Sequence, residues 1–380
     1  MSRPFSGALR VALVAVFAIV ISLVASPAMA GTNPQPDLSL SLPAGTSPWD
    51  VKEGPDGRLY VSDSANSRIL VYPLDATATT EPEGVLHVKA ASLLPIQSIG
   101  LAFAPDNRLF VTSGTDGVVY FFEASDVIGV TGEHDIVASS TSFVLNGTVL
   151  SVTFHGNYMY AFAYDIDTIY VYDMTSLGLY MFVQSTTGLK NPTAGVVIDD
   201  QLVISNNHGF VDGSGMLSWL PLSQIEGHGQ VGAAPTLNIP ATKTVDSLAS
   251  LSNFTDYLAL DCNNNIVVTN YGGYPQPINV NKFSPEATQN SAPIASITSD
   301  NIELATAEGV EVDSRDRVWI AQTNGAVLRF DSFADRCERA LPNTGFDSMT
   351  VSTWASMGVL LAAVGLGVAR MSRARRLRQA

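Results

Sequence analysis

An eight-residue phrase that returns six times dictates most of what this 380-residue chain can become. Its clearest form is Asp56-Gly57-Arg58-Leu59-Tyr60-Val61-Ser62-Asp63, repeated as Asp106-Asn107-Arg108-Leu109-Phe110-Val111-Thr112-Ser113. Weaker copies start at Gly156, Asp199, Asn263 and Ser314, so neighbouring copies lie 43 to 64 residues apart. Each joins a tight Asp/Asn/Gly turn, where a left-handed backbone is cheap, to an alternating strand. A strand rich in small and β-branched residues precedes it, as in Ile99-Gly100-Leu101-Ala102-Phe103-Ala104 or Gly309-Val310-Glu311-Val312. A third strand follows, as in Arg68 to Tyr72, Val118 to Phe122, Ile169 to Tyr172 and Val327 to Phe330. Gly84 to Val88, Phe143 to Asn146 and Leu179 to Val183 are candidates for a fourth, outer strand. One such sheet cannot bury both faces alone, so the units must pack on one another about a common axis. The expected fold is all-β, a six-bladed β-propeller, with seven blades as the alternative.

The repeat also predicts how the ring closes. The sixth unit runs out after its third strand, near Asp331, while Asp37-Leu38-Ser39-Leu40-Ser41-Leu42 alternates like a strand before the first unit begins. Pairing that segment with the last blade removes an open edge. In each unit the first strand descends from the top, the second rises and the third descends, so the chain leaves from the bottom. The aromatic residues of the third unit, Phe154, Tyr158, Tyr160, Phe162, Tyr164, Tyr170 and Tyr172, read as packing between blades.

The two ends carry addresses. Arg3 and Arg10 precede an apolar stretch from Val11 to Val24, and Ala28-Met29-Ala30 ends it with small residues, so residues 1–30 read as a secretory signal. At the other end, Leu341-Pro342-Asn343-Thr344-Gly345 is followed by an uncharged run from Trp354 to Val368 and then by Arg370, Arg373, Arg375, Arg376 and Arg378. That order resembles the sorting signal of sortase-anchored LPxTG surface proteins of Gram-positive bacteria. The resemblance implies cleavage by a sortase after Thr344 and attachment to peptidoglycan at the outer surface, in the cell wall or the membrane. It divides the chain into a signal peptide (1–30), a propeller (31–337), a short linker with the sorting motif (338–345), a transmembrane segment (346–369) and a basic cytoplasmic tail (370–380). No Pro/Thr-rich stalk separates the ring from the motif.

Charge narrows the partners. The chain has 20 basic and 35 acidic residues, a net of −15, and the two end segments hold seven of those basic residues but only one acidic. The mature domain is more acidic still, which disfavours nucleic acid and anionic lipid. No P-loop, dinucleotide fingerprint or Gly-x-Ser-x-Gly elbow occurs, and the five histidines show no metal-ligand spacing. Both cysteines, Cys262 and Cys337, fall at the predicted bottom, one blade apart, and export permits a disulfide between them. Two free thiols are the alternative.

The phrase Asp-Gly-x-Leu-Tyr-Val-x-Asp resembles the repeat of the NHL and SMP-30/gluconolactonase-like propellers. That resemblance implies a site on the top face. There the second-to-third-strand loops place Asp63, Asn66, Asp116, Asp165, Asp167, Asn206, Asn207, His208, Asp212, Asn270, Tyr271 and Asn324. The positions where each blade begins add Asp50, Gln97, Asn191, Asp256 and Glu308. Of the lactonase-like metal set, only Glu308-Gly309 stands where an acidic ligand belongs. Ser47-Pro48-Trp49-Asp50 and Ser98-Ile99-Gly100 depart from the pattern. A cation site of Glu308, Asn270, Asn206 and Asp63, suited to Ca2+ or another divalent cation, is the expectation if the protein is a hydrolase or lyase. The leading reading is a non-catalytic, wall-anchored binding module for a glycan, a peptide or a surface protein; the two stay open together.

Overall fold

The structure, a computed structural model, describes residues 34–337 apart from 115, 140–142, 176–177, 185–188, 208–214, 227–235, 246–253, 272–278, 290 and 299–305. The signal sequence, the sorting motif, the apolar run and the arginine tail lie outside the described residues, as do His208 and Asp212. Among the described residues no helix is long and apolar enough to cross a membrane. The chain divides into Met1–Arg336, which holds every described strand, and Cys337–Ala380.

Strand β1 (Leu38–Ser41) comes first. Blade one is β2 (Pro48–Glu53), β3 (Arg58–Asp63), β4 (Arg68–Pro73) and β5 (Gly84–Lys89). Blade two is β6 (Leu101–Phe103), β7 (Leu109–Thr112) and β8 (Val118–Phe122). A four-residue helix α1 (Ala124–Val127) follows, then β9 (Gly132–Val137) and the blade's outer strand β10 (Phe143–Val144). Blade three is β11 (Val149–His155), β12 (Tyr158–Ala163), β13 (Thr168–Asp173) and β14 (Gly178–Gln184). Blade four is β15 (Pro192–Ile198), β16 (Gln201–Asn206) and β17 (Met216–Pro221), with β18 (Thr236–Asn238) intervening before its outer strand β19 (Lys243–Val245). Blade five is β20 (Phe254–Leu260), β21 (Ile266–Tyr271), β22 (Asn279–Phe283) and β23 (Ala295–Thr298). Blade six is β24 (Ala307–Val312), β25 (Val318–Gln322) and β26 (Ala326–Phe330), completed by β1.

Six sheets form, so the six-bladed expectation holds and the seven-bladed alternative is corrected. Blades one and three exceed the expected four strands: β9 and β18 cross back and add as parallel fifth strands to β5 and β14. The ring closes as predicted, Leu38 opposite Arg329 and Leu40 opposite Val327.

The Asp/Asn/Gly wording of the repeat has a direct backbone cause. In all six first turns one residue is left-handed: Gly57, Asn107, Gly156, Asp199, Asn264 and Asp316. Asp56, Asp106, Asp261 and Asp313 then accept backbone N–H groups of the same turn, and three of them also grip an arginine Nε at 2.7 to 2.8 Å.

A second position in the repeat ties blade to blade. Five inner strands break register with their neighbours, at Pro48/Val51, Val149/Ser151, Pro192/Ala194, Thr255/Leu258 and Ala307/Val310. Such a bulge frees backbone groups that need another partner. In blade one, Ser62 Oγ accepts the Asp50 N–H at 2.8 Å and donates to the Ile99 carbonyl of blade two at 2.8 Å. Thr112 does the same between Gly100 N and Leu150 O, and Thr269 between Tyr257 N (3.0 Å) and Glu308 O (2.6 Å). Ser205 and Thr193 share the duty toward the Asp256 carbonyl. Blade three has Phe162 at this position, and there Ser151 Oγ donates to Thr193 O at 2.8 Å. Blade six has Ala321, and Lys52 Nζ of blade one reaches back to Val310 O at 2.9 Å.

Around these clips the hydrophobic residues gather into six buried clusters, one per blade interface. The aromatic residues of blade three belong to them: Phe110, Phe121, Phe143, Phe154 and Tyr172 form edge and stacked contacts across blades two and three.

Thr269→Val keeps the shape and removes the hydroxyl, leaving the Tyr257 N–H and the Glu308 carbonyl unpaired in a dry interface. A loss of about 1–3 kcal/mol is expected in urea unfolding, with Thr269→Ser close to wild type. Equal stability of Val and wild type would show that the clip contributes nothing.

Candidate functional site

The inner strands wall a central channel, and charged side chains enter it at two levels. Near the top, where inner strands begin, Asp256 of β20 and Glu308 of β24 hydrogen-bond to each other, both buried. Burial pushes both carboxyls above the usual range, and the charge of Asp256 raises Glu308 further. Two carboxyls so placed hold one proton between them at neutral pH. Asn207 also hydrogen-bonds Asp256, and the Tyr164 hydroxyl donates to Asn207 Oδ1 at 3.3 Å.

Of the four residues expected to share a cation, the structure brings only Glu308 to a second carboxylate, and that partner is Asp256. Asp63 Oδ1 accepts the Ser47 N–H at 3.0 Å, and Oδ2 accepts Arg68 Nε at 2.7 Å and Asn66 Nδ2 at 2.8 Å. Asn206 Oδ1 accepts the Lys190 N–H at 2.9 Å, while its Nδ2 donates to Ser218 Oγ at 3.0 Å. Both brace the start of their own blade. Asn270 holds the corresponding place in blade five, directly after Thr269, and its buried amide has no hydrogen-bond partner among the described residues. Among the described residues no group of three or more His, Cys, Asp or Glu is arranged to hold a metal ion. Neither Cys262 nor Cys337 is a free thiol.

The lower half of the channel is a cavity of about 700 Å3 walled by all six inner strands, and it extends to the exposed turn residue Asp199. Asp50, fully buried, accepts the N–H groups of Val51 (2.8 Å) and Leu101 (2.9 Å). Burial raises its carboxyl despite these bonds and the Lys52 ammonium 3.5 Å away. Lys52 reaches Glu311 Oε2 at 3.2 Å as well as the Val310 carbonyl. Burial works against its charge, but Asp50 and Glu311 hold its affinity for the proton above the ordinary value. Glu311 is pushed up to about 7 by burial, against the pull of Lys52. On the opposite wall, His155 Nδ1 lies 2.7 Å from Glu226 Oε1, which also accepts the Tyr160 hydroxyl at 2.5 Å.

Sequence reasoning placed Asp50, Asp256 and Glu308 at the channel but expected the site on the top face; the cavity of about 700 Å3 lies at the other end. Lys52, Glu311 and the His155–Glu226 pair were missed. Nothing local marks them, since each partner comes from another blade.

No protein-family model matches the chain, and no curated protein matches it. Similar solved structures include the WD40 β-propeller domain of Doa1, at a TM-score of 0.49 and 12% identity over 78% of this chain and 97% of that one. A selenomethionine-substituted virginiamycin B lyase from Staphylococcus aureus is similar at 0.46 and 9% identity over 78% and 88%. A streptogramin B lyase is similar at 0.46 and 11% identity over 77% and 95%. These likenesses carry nothing about the chemistry of the channel.

The proton held by Asp256 and Glu308 sets a pH dependence. Both carboxyls bind it more tightly folded than unfolded, so the folded state holds more protons around neutrality and stability falls as pH rises. Glu308→Gln keeps a hydrogen bond to Asp256 without titrating. Thermal melts at about pH 5, 7 and 9 should show a shallower decline in the variant than in wild type. Parallel curves would remove the pair from this role.

Proposed function

We propose that this chain is an exported β-propeller, anchored to the cell wall through Thr344, that binds a small ligand in its central channel. The observation that carries the binding half is the cavity of about 700 Å3 with Asp50, Lys52 and Glu311 held in its wall. Pockets of this size suit small molecules, and charges kept in a wall at the cost of desolvation suit recognition better than packing. The anchoring half is supported by the order of sorting motif, apolar run and arginines. Only ten residues separate Phe330 from Leu341, a short tether for such an anchor. The same reading joins Cys262 to Cys337, a cross-link worth on the order of 4 kcal/mol by loop entropy. The cation-dependent hydrolase or lyase finds the Asp256–Glu308 pair but no third acidic donor among the described residues, and is not carried further.

In a Gram-positive host, wild-type protein is expected in the fraction released by wall digestion, and Thr344→Ala in the membrane fraction. Recovery of both in the same fraction would refute anchoring. Non-reducing gels of the released material check the cross-link, since reduction should slow migration unless Cys262→Ser is present. For binding, a thermal-shift screen of amines, amino acids, sugars and organic acids should return at least one class that stabilises the protein. A library with no hit would leave the channel without a binding role.

A further inference from the structure

The charge and hydrogen-bonding character of the lower cavity is one-sided. Among the described residues Lys52 is the single lysine or arginine in its lining, and Val310 O, Glu311 Oε2 and Asp50 Oδ1 engage its ammonium at 2.9, 3.2 and 3.5 Å. Asp50 is likewise occupied, by Lys52 and two backbone N–H groups. What remains toward the space is a set of acceptors. Glu53 has one oxygen on the Ser314 N–H and keeps the other; Glu311 keeps Oε1; Asp199 stands exposed at the rim. His155 lines the same cavity, with its Nδ1 engaged by Glu226 at 2.7 Å. Phe103 and Phe154 add apolar surface to the same lining.

A ligand for such a lining has to bring donors and positive charge, with an apolar body for the rings. We propose that the lower channel binds a small organic cation, an amine or guanidinium on an apolar skeleton, with its charged end between Glu311 and the rim carboxylates Glu53 and Asp199. The proposal rests on the channel being a ligand site and names what the ligand is. Glu311 makes it distinctive in solution. The charged groups acting on it are Lys52, Asp50 and Glu53 from β2, and across the cavity stand His155 of β11 and Asp199 after β15. A carboxyl titrating near neutrality is driven to its ionised form by an arriving cation, so binding releases protons.

The test is calorimetry on the full chain, purified in detergent, with agmatine and tyramine as probes and N-acetylglucosamine and citrate as neutral and anionic counterparts. At least one cation is expected to bind roughly tenfold or more tighter than either counterpart. At about pH 6.5 its heat should depend on the buffer's ionisation enthalpy in the sense of proton release. Asp199→Asn, on the exposed rim and compatible with the left-handed turn at φ 50, should weaken binding several-fold while the melting temperature holds. Glu311→Gln should weaken it further and abolish the proton release. Binding of citrate or N-acetylglucosamine in place of the cations overturns the ligand class and leaves the channel a binding site. No binding by any probe overturns both.

Discussion

A buried hydroxyl that accepts from one inner strand and donates to the next is the contact on which the ring depends. A propeller has no continuous sheet running round it, so apolar packing between blades, which slides easily, must be given a register. The clips at Ser62, Thr112, Ser151, Ser205 and Thr269, with Lys52 closing the circle, supply that register at every interface. They act on main-chain groups released by the bulges, so each settles a desolvation cost in two blades at once. Glycine appears where the approach is closest: a Cβ on Gly100 would lie 2.2 Å from Leu150 O, and one on Gly309 2.5 Å from Asp50 Cα.

This arrangement is also what makes the channel usable. Because the interfaces are held by backbone and by hydroxyls one layer back, inner-strand side chains are released from holding blades together. Lys52 and Ser151 are exceptions, each being both clip and channel residue. The bond from Lys52 to Val310 O joins blade six to blade one, and its contacts with Asp50 and Glu311 set the charge of the cavity wall. A protonation change at Glu311 is therefore felt at the ring's last interface.

How much of this could be read from the sequence depends on whether the cause was local. The turn residues were legible because a left-handed backbone needs Gly, Asn or Asp at a fixed place. The clip hydroxyls stood in plain view in the repeat as Ser62, Thr112, Ser205 and Thr269. Their role was not legible, since it depends on bulges in the preceding strand. For the same reason Asp63 and Asn206, which looked like top-face ligands, proved to brace their own blades. The pairs Lys52–Glu311 and His155–Glu226 join residues 259 and 71 positions apart with no motif between them. The parallel fifth strands were hidden as well: β18 has three residues, and β9 is polar and exposed except at Ile136.

The last segment of the ring shows how closure and exit are combined. Strand β1 is zipped to β26, and the seam is extended by Asp37 N to Arg329 O at 2.8 Å and Asp331 N to Asp37 Oδ2 at 2.7 Å. Beyond it the chain does not simply leave. Asp335 accepts from Lys282 Nζ at 2.7 Å, Asn263 Nδ2 at 3.0 Å and Asn265 Nδ2 at 2.9 Å, and its N–H donates to Asp261 at 3.2 Å. Lys282 also holds the Phe333 carbonyl at 2.8 Å, and these bonds keep the Asp335 carboxyl below the usual range. The exit is thus stitched to blade five, one blade back from the seam. Under the anchoring proposed above, a pull from the wall loads Asp335 and Lys282 before it reaches β26. Since β26 is the strand that β1 closes on, tension is diverted from the one interface where the ring could open.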